Sequence, residues 1–320
     1  MSSLQCVLLS RLSTILDAEV IALRNTSNSH RTELTPEHEA SSFHPVAGSE
    51  IDEIGSWSEV KLDIVREYAQ VYSQILSAQK KPRLHHAYID AFAGAGVHLS
   101  RSTKEFVLGS PLNALNVRPP FAEYHFIDIN QTRVGSLQQV AQRQANVFVH
   151  DGDCNQVLLR EVFPKVLYRD FRRGLCLLDP YGLHLDWRVI YTAGQMKSVE
   201  IFLNFPIMDM NMNVLKHNPD SVPSEQGKRM TRYWGDESWK SAAYSTTGNL
   251  FGYEEKTDNE AITVAFRDRL LSVAGFNHVS RPLAMRNSRD AVVYYLFFAS
   301  PKPVALDIIE DIFQKHEKRL

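Results

Sequence analysis

Four short apolar segments of this chain each end in an aspartate, and this recurrence constrains the fold more than any other feature. The acids that follow the segments are Asp90, Asp128, Asp151 with Asp153, and Asp179. A stretch with helical spacing separates each segment from the next, so the pattern predicts alternating strands and helices. Such an α/β alternation is typical of a mostly parallel sheet with helices on both faces. Because ligands bind beyond the carboxyl ends of such strands, we expect these acids to line one binding site.

The predicted elements extend this alternation along most of the chain. Five strands are predicted at 87–90, 123–128, 146–150, 174–178 and 199–205, and two more at about 277–281 and 292–299. Helices are predicted from Ser56, from Ser110, and over 132–144, 154–168, 187–194, 266–275 and 305–315. Together these elements predict a seven-stranded sheet.

Composition divides the chain into four predicted parts. Residues 1–52 are mostly polar and are predicted to be an N-terminal extension or linker. Residues 53–206 form the predicted core, and 207–260 interrupt the alternation as an insertion for docking a substrate or a partner. Residues 261–320 are expected to complete the same α/β domain.

A glycine loop follows the first strand, in the segment Asp90-Ala-Phe-Ala-Gly-Ala-Gly96. Gly94 and Gly96 can adopt positive φ angles and let a ligand approach the backbone. A dinucleotide site would require a third glycine and an acid about 20 residues further on. Here Leu99 stands at the third position and the next strand-end acid comes 38 residues after Asp90, so NAD is disfavoured.

S-adenosylmethionine fits the pattern of acids better. Asp90 is expected to face the methionine amino group, and Asp128 the ribose hydroxyls. Asp151 or Asp153 is expected to accept a hydrogen bond from the adenine amine. Trp57 and Lys61, at the start of the first predicted core helix, are candidates for the rim of this site.

Charge, cysteines and hydropathy limit the remaining possibilities. The formal net charge is −2 and the pI is about 6.6, so nucleic acid would have to bind a local basic face. The candidate faces are 169–173, 228–232 and 281–289. Cys6, Cys154 and Cys176 are widely separated, which predicts neither disulfides nor a metal site. No segment has the length and apolarity of a membrane span or the features of a signal peptide, so we expect a cytoplasmic protein with no membrane partner.

Several motifs in order along the chain resemble those of one family, the three-Cys-motif partner proteins. They are Trp57-Ser-Glu-Val-Lys-Leu62, Tyr88-Ile-Asp-Ala-Phe-Ala-Gly94, Gly109-Ser-Pro-Leu112, Asp179-Pro-Tyr-Gly182, Asn204-Phe-Pro206, Arg232-Tyr-Trp-Gly-Asp-Glu-Ser-Trp239 and Tyr294-Tyr-Leu-Phe-Phe-Ala-Ser300. The resemblance implies a Rossmann-like class I methyltransferase fold with S-adenosylmethionine as its cofactor. It also implies a partner carrying three cysteines, which are not the three of this chain. The cofactor residues implied are Asp90, Phe92, Gly94, Gly96, Asp128, Asp151 and Asp153.

The segment Asp179-Pro180-Tyr181 resembles the D-P-P-Y signature of enzymes that methylate an exocyclic amine of a nucleic-acid base. In that signature the acidic side chain accepts a hydrogen bond from the amine and the aromatic ring stacks on the base. This chain has only one proline before its tyrosine. Asn204, Phe205 and Pro206 are candidates for a second wall of the substrate pocket. The alternative is a partner or regulatory protein that keeps the fold without turnover.

Overall fold

A computed structural model of the chain describes residues 51–142, 144–245 and 255–320. Almost all of the predicted N-terminal extension, and residues 246–254 of the predicted insertion, lie outside the described residues. Within the described ranges, every helix is too short or too polar to cross a lipid bilayer.

The described strands are β1 (Glu53–Ile54), β2 (His85–Asp90), β3 (Val97–Ser100), β4 (Phe106–Leu108), β5 (Glu123–Asp128), β6 (Val147–Asp151), β7 (Arg172–Leu178), β8 (Val199–Phe205), β9 (Tyr244–Ser245), β10 (Glu255–Lys256), β11 (His278–Val279), β12 (Leu283–Arg286) and β13 (Val292–Ser300). The described α-helices are α1 (Ser56–Ala78), α2 (Ser110–Leu115), α3 (Gln131–Ala141), α4 (Cys154–Val157), α5 (Trp187–Met196), α6 (Ile207–Asn213), α7 (Ser224–Trp234), α8 (Trp239–Ala243), α9 (Asn259–Ser272) and α10 (Pro303–Glu317).

The central sheet is mixed but mostly parallel, as predicted. Its strand order is β11-β13-β8-β7-β2-β5-β6, and β12 pairs with β13 as well. The strands β8, β7, β2, β5 and β6 all run parallel to one another. In contrast, β13 is antiparallel to β8, β11 and β12. This arrangement places the carboxyl ends of β2, β5, β6, β7 and β8 along one edge.

The predicted strand count is wrong by one among the described residues, where the sheet has eight strands. The edge strand predicted near 277–281 corresponds to β11, whereas β12 was not predicted, and the two pair with different parts of β13. Ser280 and Pro282 fall in the break between them. Proline has no N–H to donate to a neighbouring strand, so the ladder is interrupted there.

Helices cover both faces of the sheet, which confirms the predicted layers. Successive residues of a strand point to opposite faces, and in β2 Tyr88 and Ile89 belong to different apolar clusters. The cluster around Tyr88 includes Tyr68 of α1 and Phe313 of α10. The cluster around Ile89 includes Phe266 of α9. The sheet is therefore held rigidly between two apolar layers.

Residues 97–108, for which no strand was predicted, contain a hairpin. Strands β3 and β4 are antiparallel, and β1 pairs in parallel with β3 to make a small separate sheet. The backbone N–H of Gly109 donates to the carbonyl of Gly96 at 2.8 Å and closes the hairpin onto the glycine loop. The hairpin therefore stands directly beside that loop.

The first part of the insertion is integrated into the main core. Trp234 of α7 and Trp239 of α8 are 1% and 3% exposed, so neither indole offers a docking surface. The hydroxyl of Tyr233 donates to the carbonyl of Asn204 at 2.9 Å and ties α7 to the end of β8. Residues 207–260 carry six lysines and arginines against nine aspartates and glutamates, so this segment is not electropositive.

Candidate functional site

Acids from neighbouring strands meet at the carboxyl edge of the sheet. Asp90 and Asp128 end β2 and β5, Asp151 ends β6, and Asp179 directly follows β7. Asp128 and Asp151 are partners across the β5–β6 ladder. The structure therefore brings the predicted acids into one region, although their individual surroundings differ.

Asp128 holds the glycine loop in place. Its Oδ2 accepts a hydrogen bond from the N–H of Gly94 at 2.9 Å, and its Oδ1 accepts one from the N–H of Asn130 at 2.8 Å. Gly94 and Gly96 have φ angles of +66° and +87°, which side chains disfavour. Each carboxylate oxygen has a second lone pair, so Asp128 can also accept a bond from a ligand hydroxyl.

Asp90 is fully buried beside this loop and keeps one oxygen open. Its Oδ1 accepts a long bond from the N–H of Phe92 at 3.4 Å, whereas its Oδ2 has no partner among the described residues. Burial raises the pKa of Asp90 to about 7, a hydrogen bond from Ser110 opposes the rise, and the nearby Asp179 adds to it. A buried oxygen without a partner is costly, so this position favours a ligand that donates hydrogen bonds.

Lys61 of α1 reaches the centre of the site rather than its rim. Its Nζ forms an ion pair with Oδ2 of Asp179, and the side-chain amide of Asn204 donates to Oδ1 of the same carboxylate. The Lys61 side chain is 8% exposed and that of Asp179 is 27% exposed. Burial disfavours the ammonium, but Asp179, with Tyr294 and Asp90, outweighs burial and raises the pKa of Lys61. Lys61 is therefore a fixed cation at neutral pH.

Both oxygens of Asp179 already have partners in the free protein, so a substrate amine would have to share an oxygen with Lys61 or Asn204 or displace one of them. The carbonyl oxygen of the Asn204 side chain, in contrast, is buried without a partner among the described residues. This amide oxygen provides a second unpartnered acceptor beside the Lys61–Asp179 pair.

Tyr181 lies on the outer side of the site. Pro180 is buried, while Tyr181 is 58% exposed. The Arg133 guanidinium carbon lies 5.5 Å from the centre of the tyrosine ring. Arg133 also binds both carboxylate oxygens of Asp52 at 2.8 and 2.9 Å, and the Tyr181 hydroxyl lies 3.4 Å from one of them. These contacts orient the ring while leaving part of its surface open.

Some predicted site residues have structural roles instead. Oδ1 of Asp153 accepts bonds from the N–H groups of Asn155 and Gln156 and caps α4. Of the two candidates for the adenine contact, the exposed Asp151 is therefore the one that remains available. Phe205 is completely buried, with its ring centre 4.6 Å from that of Phe266, so it belongs to the core and not to a pocket wall.

The remaining predicted residues lie at the margin of the site. Pro206 is buried at the N-cap position of α6, two residues after Asn204, whose amide binds Asp179. Phe92 is half-buried and packs against the apolar cluster around Ile89. Trp57 is also half-buried and packs against the opposite cluster. These three side chains shape the surroundings of the acids and carry no chemistry of their own.

Sequence reasoning missed three polar residues of this region: Asp52, His98 and Arg133. Asp52 was assigned to the N-terminal extension, and the other two lie in segments with no motif. His98 on β3 lies beside Gly94 of the glycine loop, and Arg133 on α3 lies 3.9 Å from Asp128. Only their position in the folded chain brings them to the acids.

The local basic faces considered for nucleic acid are largely paired with acids. Arg172 forms an ion pair with Glu123, and Lys228 forms one with Glu225 at 2.7 Å. Arg281 binds both Glu310 and Glu317. Their charges are therefore partly neutralised within the fold.

Neither a protein-family model nor a curated protein sequence matches this chain. Several solved structures resemble it at low identity. Protein LPL1258 from Legionella pneumophila str. Philadelphia 1 is 10% identical over 79% of this chain and 90% of that one, with a TM-score of 0.42. The N-terminal domain of EvdMO1, solved with SAH and D-fucose, is 13% identical over 74% and 83% of the two chains, with a TM-score of 0.36.

The CurJ carbon methyltransferase is also 13% identical, over 75% of this chain and 54% of that one, with a TM-score of 0.36. Likenesses at this level assign neither a family nor an activity to this chain.

Proposed function

We propose that this chain binds S-adenosylmethionine at the carboxyl edge of β2, β5 and β7 and transfers its methyl group to an exocyclic amine of a nucleic-acid base. The observation that carries the proposal is the open Oδ2 of buried Asp90, which lies beside a glycine loop and near the fixed cation Lys61. An amino-acid group has an ammonium and a carboxylate, which complement these two side chains.

The residues of the site fit the separate parts of the cofactor. Asp90 would accept hydrogen bonds from the methionine ammonium, and Lys61 would bind the methionine carboxylate. Asp128 has lone pairs left for ribose hydroxyls, and the exposed Asp151 is available to the adenine amine. When bound, the cofactor supplies an activated methyl group.

Binding of the methionine carboxylate to Lys61 would also make Asp179 available to accept a hydrogen bond from the substrate amine. In the free protein Lys61 and Asn204 occupy the oxygens of Asp179. A second anion on Lys61 weakens its hold on Asp179, which can then accept a hydrogen bond from the amine to be methylated. Asn204 would keep the Asp179 carboxylate oriented during this exchange.

The proposed acceptor is a base because Tyr181 offers a partly exposed ring directly after Asp179. Stacking of a base on an aromatic side chain contributes roughly 1–3 kcal/mol. The net charge of −2 and the acid-rich insertion supply no extended positive surface. We therefore propose recognition of an unpaired or flipped base rather than of a long duplex.

A second candidate function is a partner protein, such as one for a three-cysteine protein, that binds the cofactor without turnover. The observation that favours it is the closed set of contacts around Asp179 in the free protein. In that case Lys61 would retain Asp179 even when the cofactor is bound.

Transfer of a labelled methyl group distinguishes the two candidates. The wild-type protein and Asp179→Asn would be incubated with tritiated S-adenosylmethionine and with RNA, DNA or a three-cysteine protein. Label on a base that is lost in Asp179→Asn supports the transferase. Cofactor binding without label in any acceptor supports the partner function, and absence of cofactor binding removes both.

A further inference from the structure

The hairpin of β3 and β4 carries a histidine against the glycine loop. A side-chain carbon built at Gly94 would lie 3.8 Å from Cε1 of His98, and one built at Gly109 would lie 3.2 Å from its Nε2. The imidazole therefore fills the space that these two glycines leave open. Its Nδ1 is buried and has no hydrogen-bond partner among the described residues.

Charged groups of the site surround this ring from several elements. Lys61 of α1 and Arg133 of α3 disfavour its protonation, whereas Asp52, before β1, and Asp179, after β7, favour it. Burial has the largest effect and lowers the pKa of His98. The ring is thus a neutral imidazole at physiological pH, with a ring nitrogen able to accept a proton.

We propose that His98 is the proton acceptor of the methyl transfer. This inference rests on the proposed function and assigns a role to a residue that no motif in the sequence marks. Its basis is position: the ring lies beside the glycine loop, where the cofactor would bind, and it is close enough to Asp179, where the amine would bind, to feel the charge of that carboxylate.

The amine nitrogen forms a bond to the methyl carbon while the carbon–sulfur bond breaks and its electron pair stays on sulfur. The positive charge moves from sulfur to nitrogen. The nitrogen then loses one proton to a ring nitrogen of His98, and the imidazolium releases that proton to water.

The test compares S-adenosylmethionine with S-adenosylhomocysteine, which lacks the methyl group and the positive charge on sulfur. Affinities for both ligands would be measured by calorimetry between pH 5 and pH 8. Protonated His98 would repel the sulfonium, which only S-adenosylmethionine carries, so the ratio of the affinity for S-adenosylmethionine to that for S-adenosylhomocysteine should fall severalfold as the pH decreases. Asp90 also titrates near pH 7, but it faces the methionine ammonium that both ligands carry, so its effect cancels in the ratio.

Two variants complete the experiment. In His98→Gln the ratio should be independent of pH, while both ligands still bind at pH 8. His86→Gln is the matched control, because His86 is also buried but lies near the opposite end of β2, about 13 Å from Asp90. It should retain the pH dependence of the wild type.

The outcomes separate this proposal from the function on which it rests. A pH-independent ratio in the wild type, with both ligands bound, would overturn the role of His98 and leave the cofactor site intact. The role of His98 would also be overturned if His98→Gln methylated an acceptor at the same rate as the wild type. Failure of both ligands to bind would instead refute the cofactor site itself.

Discussion

Lys61 and Asp179, which are 118 positions apart in the chain, form an ion pair at the centre of the carboxyl edge of the sheet. The pair joins α1 to the turn after β7, and Asn204 adds a contact from the end of β8. Because the Lys61 side chain is almost completely buried, its charge is held in place by Asp179 rather than by water. The same two side chains therefore stabilise the fold and would take part in the proposed binding of the cofactor.

Removing the charge of Lys61 should weaken both properties. Lys61→Met keeps the apolar stem but leaves Asp179 without its cation, and loss of one member of a buried pair is strongly destabilising. Since Asp179 is partly exposed, we expect a loss of about 2 kcal/mol in the free energy of unfolding, measured with urea. A double-mutant cycle with Asp179→Asn should show the two losses to be non-additive. If the two losses of unfolding free energy were simply additive, the Lys61–Asp179 ion pair would contribute nothing to stability.

The buried Glu200 on β8 should make stability fall with rising pH. Burial raises its pKa to about 7, although the hydroxyls of Tyr68 and Ser300 donate to it at 2.6 and 2.8 Å. The ordinary pKa of a glutamate is 4.5. Between pH 4.5 and about pH 7, Glu200 is therefore protonated in the folded protein and ionised in the unfolded chain. The stabilisation is complete below pH 4.5 and is lost as the pH rises through about 7.

Glu200→Gln removes this titration. The stability of the variant relative to the wild type should therefore rise by about 3 kcal/mol between pH 4.5 and pH 7.5. Urea unfolding at a series of pH values measures the difference. A constant difference across the range would mean that Glu200 titrates normally in the folded protein.

Binding of the acceptor base should depend on the aromatic ring of Tyr181 and not on its hydroxyl. Tyr181→Phe keeps the ring and should retain acceptor binding, whereas Tyr181→Ala should weaken it by about 1–3 kcal/mol. Because the side chain is 58% exposed, both variants should fold normally. Binding of a labelled single-stranded oligonucleotide in the presence of S-adenosylhomocysteine measures the effect. Equal binding by both variants would contradict a stacking role.

The strands, and the position of the acids together at the carboxyl edge of the sheet, could be predicted because both follow from local sequence patterns. An apolar run that ends in Asp90 or Asp128 marks a strand end, and parallel strands bring such ends together. The same pattern could not distinguish Asp153 as a helix cap from Asp151 as an available acid. Both residues follow the same strand, and only the N–H groups of α4 decide between them.

The contacts between distant segments could not be predicted in this way. The Lys61–Asp179 pair depends on how α1 packs across the sheet, which no spacing in the sequence records. The hairpin that carries His98 was missed because its strands are only four and three residues long. Phe205 was assigned to the pocket from its motif, whereas packing against Phe266 places it in the core.

Two buried carboxyl groups allow the central claim to be tested directly. Burial raises the pKa of both Asp90 and Glu200 to about 7, but of these two only Asp90 keeps an oxygen without a partner in the part of the chain that the structure describes. Calorimetric titration with S-adenosylmethionine at pH 8 should show binding to the wild type and equal binding to Glu200→Gln. Asp90→Asn should fold at least as stably as the wild type yet bind about 10–100-fold more weakly, because it loses a charge-assisted hydrogen bond. No binding by the wild type, or undiminished binding by Asp90→Asn, would contradict the account.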